Sequence, residues 1–390
     1  MRKKQVWLEA THLFKSPTIN KSGIGNYTEN IIKGVLDQEN ANNYHFSIAA
    51  NLFFTNKKRY IAGIRSKDFS YLYSRFIPGK VWNQLLKRKL MPPIEFLHLK
   101  KPDAVVNFDF TAIPTAKKVK NITVVYDLSF LKFRKYSDSK NAEYLTKEVP
   151  KSVHKSDIIV TISENSKKEI LDEYDVDSKK IKVINPGIDH NFFTPRDKTE
   201  IEIVKKKYGI NTNYILYTGT IEPRKNIDGI LDAYSKLPEN IKNSYSLVLA
   251  GGKGWLDRDI HQKLEKLSNL NIIMTGYVDY EDLPALYSGA TLFIYPSFYE
   301  GFGMPPAEAM ACGTPVVTSN NSALPEVVGK AGIMVDASDT LEIRKSIEKI
   351  INDKNLQKEL IKKGYAQARK FSWEDSSRKM MDVIEEALKR

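Results

Sequence analysis

Short apolar runs alternate with helical stretches through the second half of the chain, at 214–219, 245–250, 271–275, 292–295, 315–319 and 332–335. A short run without polar alternation suits a strand covered on both faces, and strands separated by helices pair in parallel through crossovers. The first half has the same grain. Gln5–Glu9, Ala104–Phe108, Ile122–Tyr126, Ile158–Ser163 and Lys180–Asn185 read as strands, with helices over Asn26–Leu36 and about Ser139–Lys155. The expectation is an α/β chain with doubly wound, mostly parallel sheets. Its 390 residues, 42% of them apolar, are enough for two domains, each with its own core.

Connections between strands and helices are where such sheets bind ligands, so the chemistry is sought there. In Ser297–Gly313, SFYEGFGMPPAEAMACG, Glu300 and Glu308 stand on either side of a glycine turn that opens a helix, and Pro305 and Pro306 fall in its first turn. Gly301 and Gly303 let the backbone approach a ligand, and amides at the helix start favour an anionic or hydroxyl-rich one. The alternative is an ordinary strand-to-helix connection with two solvated glutamates.

Tyr217–Asn226, YTGTIEPRKN, carries Arg224 and Lys225 after the Gly219 turn and before a helix near Ile227. A planar fork beside a mobile point charge suits a diphosphate. Asp127 ends the 122–126 run, with Tyr126 beside it either bonding a ligand hydroxyl or packing. Near the N-terminus, a turn-rich loop through Pro17, Asn20 and Ser22 reaches Gly23 and Gly25, a shorter signal than the full dinucleotide fingerprint. The Asp175–Asp177 and Asp257–Asp259 triplets read as caps and solvated residues, and six scattered histidines form no ligand set, so no metal is expected.

Lys and Arg total 60 against 47 Asp and Glu, and the whole excess lies in residues 1–195, with 33 basic against 20 acidic. Either an anionic partner meets the first half (nucleic acid, anionic lipid or a phosphorylated acceptor), or the surface is simply lysine-rich and solvated. Between Pro78 and Pro102, Val81, Trp82, Leu85 and Leu86 form an apolar helical face beside Lys87, Arg88 and Lys89, which suits a membrane surface or a core-facing helix. No apolar run is long enough to span a bilayer, and the N-terminus does not read as a signal peptide, so the cytoplasm is expected. The single cysteine, Cys312, reads as a small core residue.

Taken together these stretches resemble the retaining glycosyltransferases of family GT4. The Glu300 and Glu308 pair, with seven residues between them, matches that family's paired-glutamate motif, and YTGTIEPRKN is close to its GTxxPRKN. Gly23–Gly25 resembles its GIGRY loop, with Asn26 where arginine is frequent; Tyr126-Asp127-Leu128 stands where His-Asp-Leu is common. PGID at 186–189, the segment 276–290 and LPEVVG at 324–329 fit as well.

The resemblance implies the GT-B fold, two Rossmann-like domains facing each other across a cleft. Residues 1–195 would form the acceptor side and 196–371 the nucleotide-sugar side, with a linker around Pro195 and the helix of 372–390 packing back on the first domain. It also implies roles. Glu308 holds the ribose hydroxyls, Glu300 lies by the sugar ring, and Arg224 and Lys225, with Gly219, meet the leaving diphosphate. Amides at Gly25, Phe302 and Gly303 assist, Gly23 lines the same loop, Val278 lies by the base and Met304 belongs to the donor site. Asp127 and Tyr126 sit by the sugar and acceptor, and the tyrosine in place of histidine leaves the donor sugar open.

The implied reaction is metal-independent transfer of a hexose, mannose from GDP-mannose, to a glycan or lipid-linked acceptor in bacterial surface polysaccharide synthesis. UDP-hexose and dTDP-rhamnose are the alternative donors. Peripheral association with the inner face of the plasma membrane follows from family members that use lipid-linked acceptors. A non-catalytic binder of nucleic acid or another anionic polymer is the competing class; it has no use for the glutamate and Arg-Lys pairs, and no nucleic acid partner is expected.

Overall fold

The computed structural model describes residues 2–15, 23–51, 69–74, 84, 93, 101–133, 139–252 and 258–390. They belong to two compact units, one of Met1–Lys132, Ser137–Gly187 and Trp373–Arg390, the other of Phe133–Tyr136 and Ile188–Ser372. The basic helical segment between Pro78 and Pro102, with Val81, Trp82 and Leu85–Lys89, lies outside the described residues, as do Pro17, Asn20, Ser22 and Asp257.

In the first unit the strands are β1 (Lys4–Glu9), β2 (Tyr44–Asn51), β3 (Phe69–Ser74), β4 (Ala104–Asn107), β5 (Lys120–Val124), β6 (Ile158–Thr161) and β7 (Ile181–Val183). They form one sheet in the order β3-β2-β1-β4-β5-β6-β7, every neighbouring pair parallel. Val6, Trp7 and Leu8 in β1 and Val105 and Val106 in β4 are sealed from solvent. Because successive side chains point to opposite faces, a strand buried at consecutive positions is covered on both. The order reverses between β1 and β4, which opens a crevice at their C-terminal ends.

Two strands were not anticipated. In β2 the large apolar residues Phe46 and Ile48 alternate with His45, Ser47 and Ala49, and this period-two pattern escapes a search for continuous apolar runs. The expected strand 122–126 stops at Val124, so Tyr126 and Asp127 lie in the loop beyond it. The Val125 amide makes a last ladder bond to Val160, and Asp127 Oδ1 then accepts from the Ser129 amide at 2.8 Å, turning the chain into the short helix Ser129–Lys132. The first long helix starts at Gly23 and not Asn26, so both glycines lie in its opening turn.

The C-terminal helix Trp373–Lys389 completes this first unit. Its Met380, Met381, Val383, Ile384 and Ala387 are buried, and it packs on helix Gly23–Leu36. Gly34 permits that approach, since a Cβ there would run into Ser377. Trp373 meets Tyr27 edge-on at 6.1 Å, and Ser376 Oγ donates to the Asn185 carbonyl at 2.6 Å.

The second unit contains β8 (Asn213–Thr218), β9 (Tyr245–Ala250), β10 (Ile272–Gly276), β11 (Leu292–Tyr295), β12 (Val316–Ser319) and β13 (Gly332–Val335), in the parallel order β10-β9-β8-β11-β12-β13. Here the order reverses between β8 and β11. The expected division at 195/196 falls inside this unit, which begins at Ile188. Two contacts draw the boundary back: the Ile188 amide donates to the Phe371 carbonyl at 3.1 Å, and Phe192 stacks on Tyr280 with ring centroids 4.5 Å apart. Among the described residues no helix is long and apolar enough to cross a membrane.

Candidate active site

Two loops meet at the switch point of the second sheet. After β8 the chain passes Gly219, at φ +139°, and Glu222 into a single 3-10 turn, Pro223–Lys225. Asn226 then adopts the left-handed conformation, φ 58° and ψ 41°, and caps helix Ile227–Ser235 by accepting from the Gly229 amide at 3.2 Å. Its Nδ2 donates to the Pro296 carbonyl at 3.1 Å and the Ala337 carbonyl at 2.6 Å. The turn bearing Arg224 and Lys225 is thereby tied to the loops that follow β11 and β13.

After β11 the chain runs through Ser297–Phe302 to Gly303 and the helix Met304–Ala311. Gly303 has φ +104°, a conformation that favours glycine, and a Cβ there would have to displace the Leu324 methyl that lies 2.6 Å away. The Glu300 amide donates to Ser322 Oγ at 3.0 Å, which anchors its backbone to the loop after β12.

The cations and Glu300 form one cluster, in which Lys225 and Glu300 are buried and Arg224 is half-buried. Lys225 Nζ donates to Glu300 Oε1 at 2.5 Å and to the Tyr295 hydroxyl at 2.8 Å. Arg224 donates to the Tyr299 carbonyl at 2.6 Å, to Glu300 Oε2 at 3.3 Å and to Glu222 Oε1 at 2.7 Å. Both cations expected at a diphosphate are thus held by carboxylates, and both oxygens of Glu300 are engaged by them. Burial raises the Glu300 carboxyl, but Lys225 and then Arg224 outweigh it and hold it down to about 2. Burial also lowers the Lys225 ammonium, against the pull of Glu300.

Glu308 is built differently. It is 9% exposed on the helix Met304–Ala311, and Tyr287 donates to its Oε2 at 3.0 Å. No cation pairs with it among the described residues. Burial pushes its carboxyl up to about 7, with the Tyr287 bond pulling the other way. The two glutamates of one motif therefore sit in opposite electrostatic environments, one ionised at any ordinary pH and one poised near neutrality.

The remaining donor-side candidates divide into backbone and packing. Val278 is buried in the loop after β10, and Phe302 packs edge-on against Phe371 at 5.2 Å, so its side chain belongs to the core. Met304 is half-buried at the first helical position.

In the first unit, Tyr126 packs. Its hydroxyl donates to the Phe108 carbonyl at 3.0 Å, shares a bond with Thr28 Oγ1 at 3.0 Å, and is pushed up by burial. Asp127 is half-buried in the adjoining loop, while Gly23 and Gly25 open the helix that carries Thr28. Sequence reading missed Glu9, which closes β1 beside the crevice, is 7% exposed and accepts from the Thr11 amide at 3.2 Å. A carboxylate ending a buried strand was the available signal. It also missed Tyr287, Tyr295 and Asn226, whose partners are distant in the chain. Asp177 caps the turn 178–180 through the Lys179 amide, and among the described residues no group of three or more His, Cys, Asp or Glu gathers as a metal site.

Residues 200–367 match the family model described as glycosyl transferases group 1, and residues 55–192 match glycosyltransferase family 4. The chain is 39% identical over 256 residues to O-antigen chain mannosyltransferase B of Escherichia coli, covering 65% of this chain and 67% of that protein. It is 34% identical to the serotype-specific mannosyltransferase WbdA of Escherichia coli over 63% of this chain and 29% of that longer protein. Among solved structures, sucrose-phosphate synthase from Thermosynechococcus elongatus superposes with a TM-score of 0.74 over 98% of this chain and 99% of its own, at 18% identity.

Proposed function

Because this chain belongs to glycosyltransferase family 4, with the GT-B fold, and is a glycosyltransferase, we propose that it moves mannose from GDP-mannose, with retention, to a glycan or lipid-linked acceptor in surface polysaccharide synthesis. The observation that carries this reading is the cluster of Arg224, Lys225 and Glu300 at the switch point of the second sheet, on the same loop-helix element as Glu308. The mannosyltransferases among the relatives support the choice of sugar.

Transfer breaks the bond between the anomeric carbon and a diphosphate oxygen, through an oxocarbenium-like state. The departing diphosphate gains negative charge as positive charge grows on the sugar. Arg224 and Lys225 meet that negative charge from a turn already fixed by Asn226. Glu300 keeps both cations charged and oriented, and its carboxylate faces the positive sugar. Glu308 holds the ribose hydroxyls. The acceptor oxygen bonds the anomeric carbon on the face the diphosphate leaves, and its proton passes to the departing phosphate oxygen. Asp127 serves the sugar and acceptor, the Gly23–Gly25 turn serves the diphosphate and acceptor, and Val278 serves the base. The scheme uses no metal. Contact with an anionic membrane surface through the basic first half is part of the same reading, and salt-dependent co-sedimentation with anionic vesicles tests it.

Thermal stability with GDP, UDP, dTDP and ADP tests the donor assignment, since a ligand at about 100 times its Kd adds roughly 2.7 kcal/mol to the native state. A selective rise with GDP, followed by transfer from GDP-mannose, is the expected result. Selective stabilisation by UDP or dTDP replaces the donor and keeps the enzyme class. No shift with any of the four overturns the nucleotide site.

A further inference from the structure

Tyr287 lies on the helix Leu283–Ser288 and is 1% exposed. Its ring meets Phe293 edge-on at 5.4 Å, and its carbonyl accepts from Thr314 Oγ1 at 2.6 Å, so neither ring nor backbone has room to turn. The phenol has one proton and gives it to Glu308 Oε2. Thr218 Oγ1, 2.8 Å away at the end of β8, is therefore the donor in its bond to Tyr287. A chain of hydroxyls thus runs from β8 through Tyr287 to one carboxylate oxygen. Glu308 Oε1 makes no hydrogen bond among the described residues.

We propose that Tyr287 is the positioning residue of Glu308: it immobilises Oε2 so that Oε1 is presented to the vicinal hydroxyls of a nucleoside diphosphate. The proposal rests on the reading of Glu308 as the ribose-binding carboxylate. A neutral donor in this place has a consequence that a lysine would not. Lysine, as at Glu300, would compensate the charge and compete with the ligand; the phenol orients the carboxylate and leaves its charge to be satisfied by incoming hydroxyl donors. The other titratable groups around Glu308 are Tyr280 on the turn 280–282, Cys312 at the end of its own helix and Tyr365 behind that cysteine; Arg196 brings a positive charge to Cys312, but its guanidinium donates to the Phe192 carbonyl and pairs with Glu200 and not with Glu308.

Sugar hydroxyls donate best to the ionised carboxylate, whereas the free protein holds Glu308 near 7. Nucleotide affinity therefore rises with pH through that value and then levels. Losing the phenol removes a stabilising bond from the ionised form, so the midpoint moves to alkali by about one pH unit.

The experiment is isothermal titration of the full chain with GDP, and separately with UDP, between pH 5.5 and 8.5, for the wild type, Tyr287→Phe, Thr218→Val and Glu308→Gln. The expected result is a sigmoid for the wild type, the alkaline displacement for Tyr287→Phe with about fivefold weaker binding at pH 7, a smaller displacement in the same direction for Thr218→Val, and weak, pH-independent binding for Glu308→Gln. A wild-type midpoint in Tyr287→Phe overturns the proposal; if that variant does not fold, an unmoved midpoint in Thr218→Val does so. Unimpaired binding by Glu308→Gln overturns instead the ribose assignment on which the proposal stands.

Discussion

At the scale of single residues, Lys225 and Glu300 matter most because each is buried and each is the other's compensation. Their side chains are 11% and 9% exposed. Removing one partner strands a charge that has lost water and gained nothing, whereas removing both leaves a neutral site. Glu300→Gln is expected to destabilise the second unit by about 3 kcal/mol, and the double variant Glu300→Gln, Lys225→Met by clearly less. Chemical denaturation of the four-member cycle measures this, and additivity within about 0.5 kcal/mol denies the coupling. The sign with pH follows from the depressed carboxyl. The contribution of Glu300 is fully present above its ordinary value of 4.5 and is lost as pH falls towards about 2. Glu300 and Glu308 were legible in sequence as a pair, and so was their setting on a turn and a helix. Their opposite charge environments were not, because those come from Lys225 and Tyr287 on other elements.

At the scale of elements, the Arg-Lys turn owes its geometry to Asn226, which holds a left-handed backbone and ties three elements with one amide. Asn226→Ala loses the bonds to Gly229, Pro296 and Ala337, leaves two buried carbonyls unmatched and strains the backbone at φ 58°. A loss of about 3 kcal/mol is expected, with a raised KM for the donor. Asn226→Gly relieves the strain without restoring the bonds, and recovers only about 1 kcal/mol. Wild-type stability in both variants would mean that the tie does not hold the turn. The helix start at Ile227 and the strand at 292–295 were read correctly from local pattern. Beyond Val124 the local pattern misled, because apolar residues continue past the last ladder bond and only the neighbouring strand shows where pairing stops.

At the scale of the whole molecule, the chain leaves the first unit at Gly187 and returns to it at Trp373. The returning helix buries one face on residues from the start of the chain, so the first unit cannot complete its core until the last residues are present. Ile384→Asp, at a fully buried position, is expected to cost the first unit roughly 3–5 kcal/mol. Hydrogen exchange should then show lost protection across β1–β7 and retained protection across β8–β13; equal losses in both sheets would show that the units unfold together.

Apolar runs, glycine turns and the residues at their ends are local properties of the chain. They suffice for the alternation of strands and helices, the doubly wound class and the two motifs that carry Arg224, Lys225, Glu300 and Glu308. Strand order, by contrast, is a pairing between segments far apart, and it places the loops after β8 and β11 side by side at a switch point. The same pairing brings Tyr287 to Glu308, Asn226 to Pro296 and the C-terminal helix to the first unit. Charge state goes with it: a carboxylate's ionisation depends on what is buried around it, and that is settled only when distant segments pack.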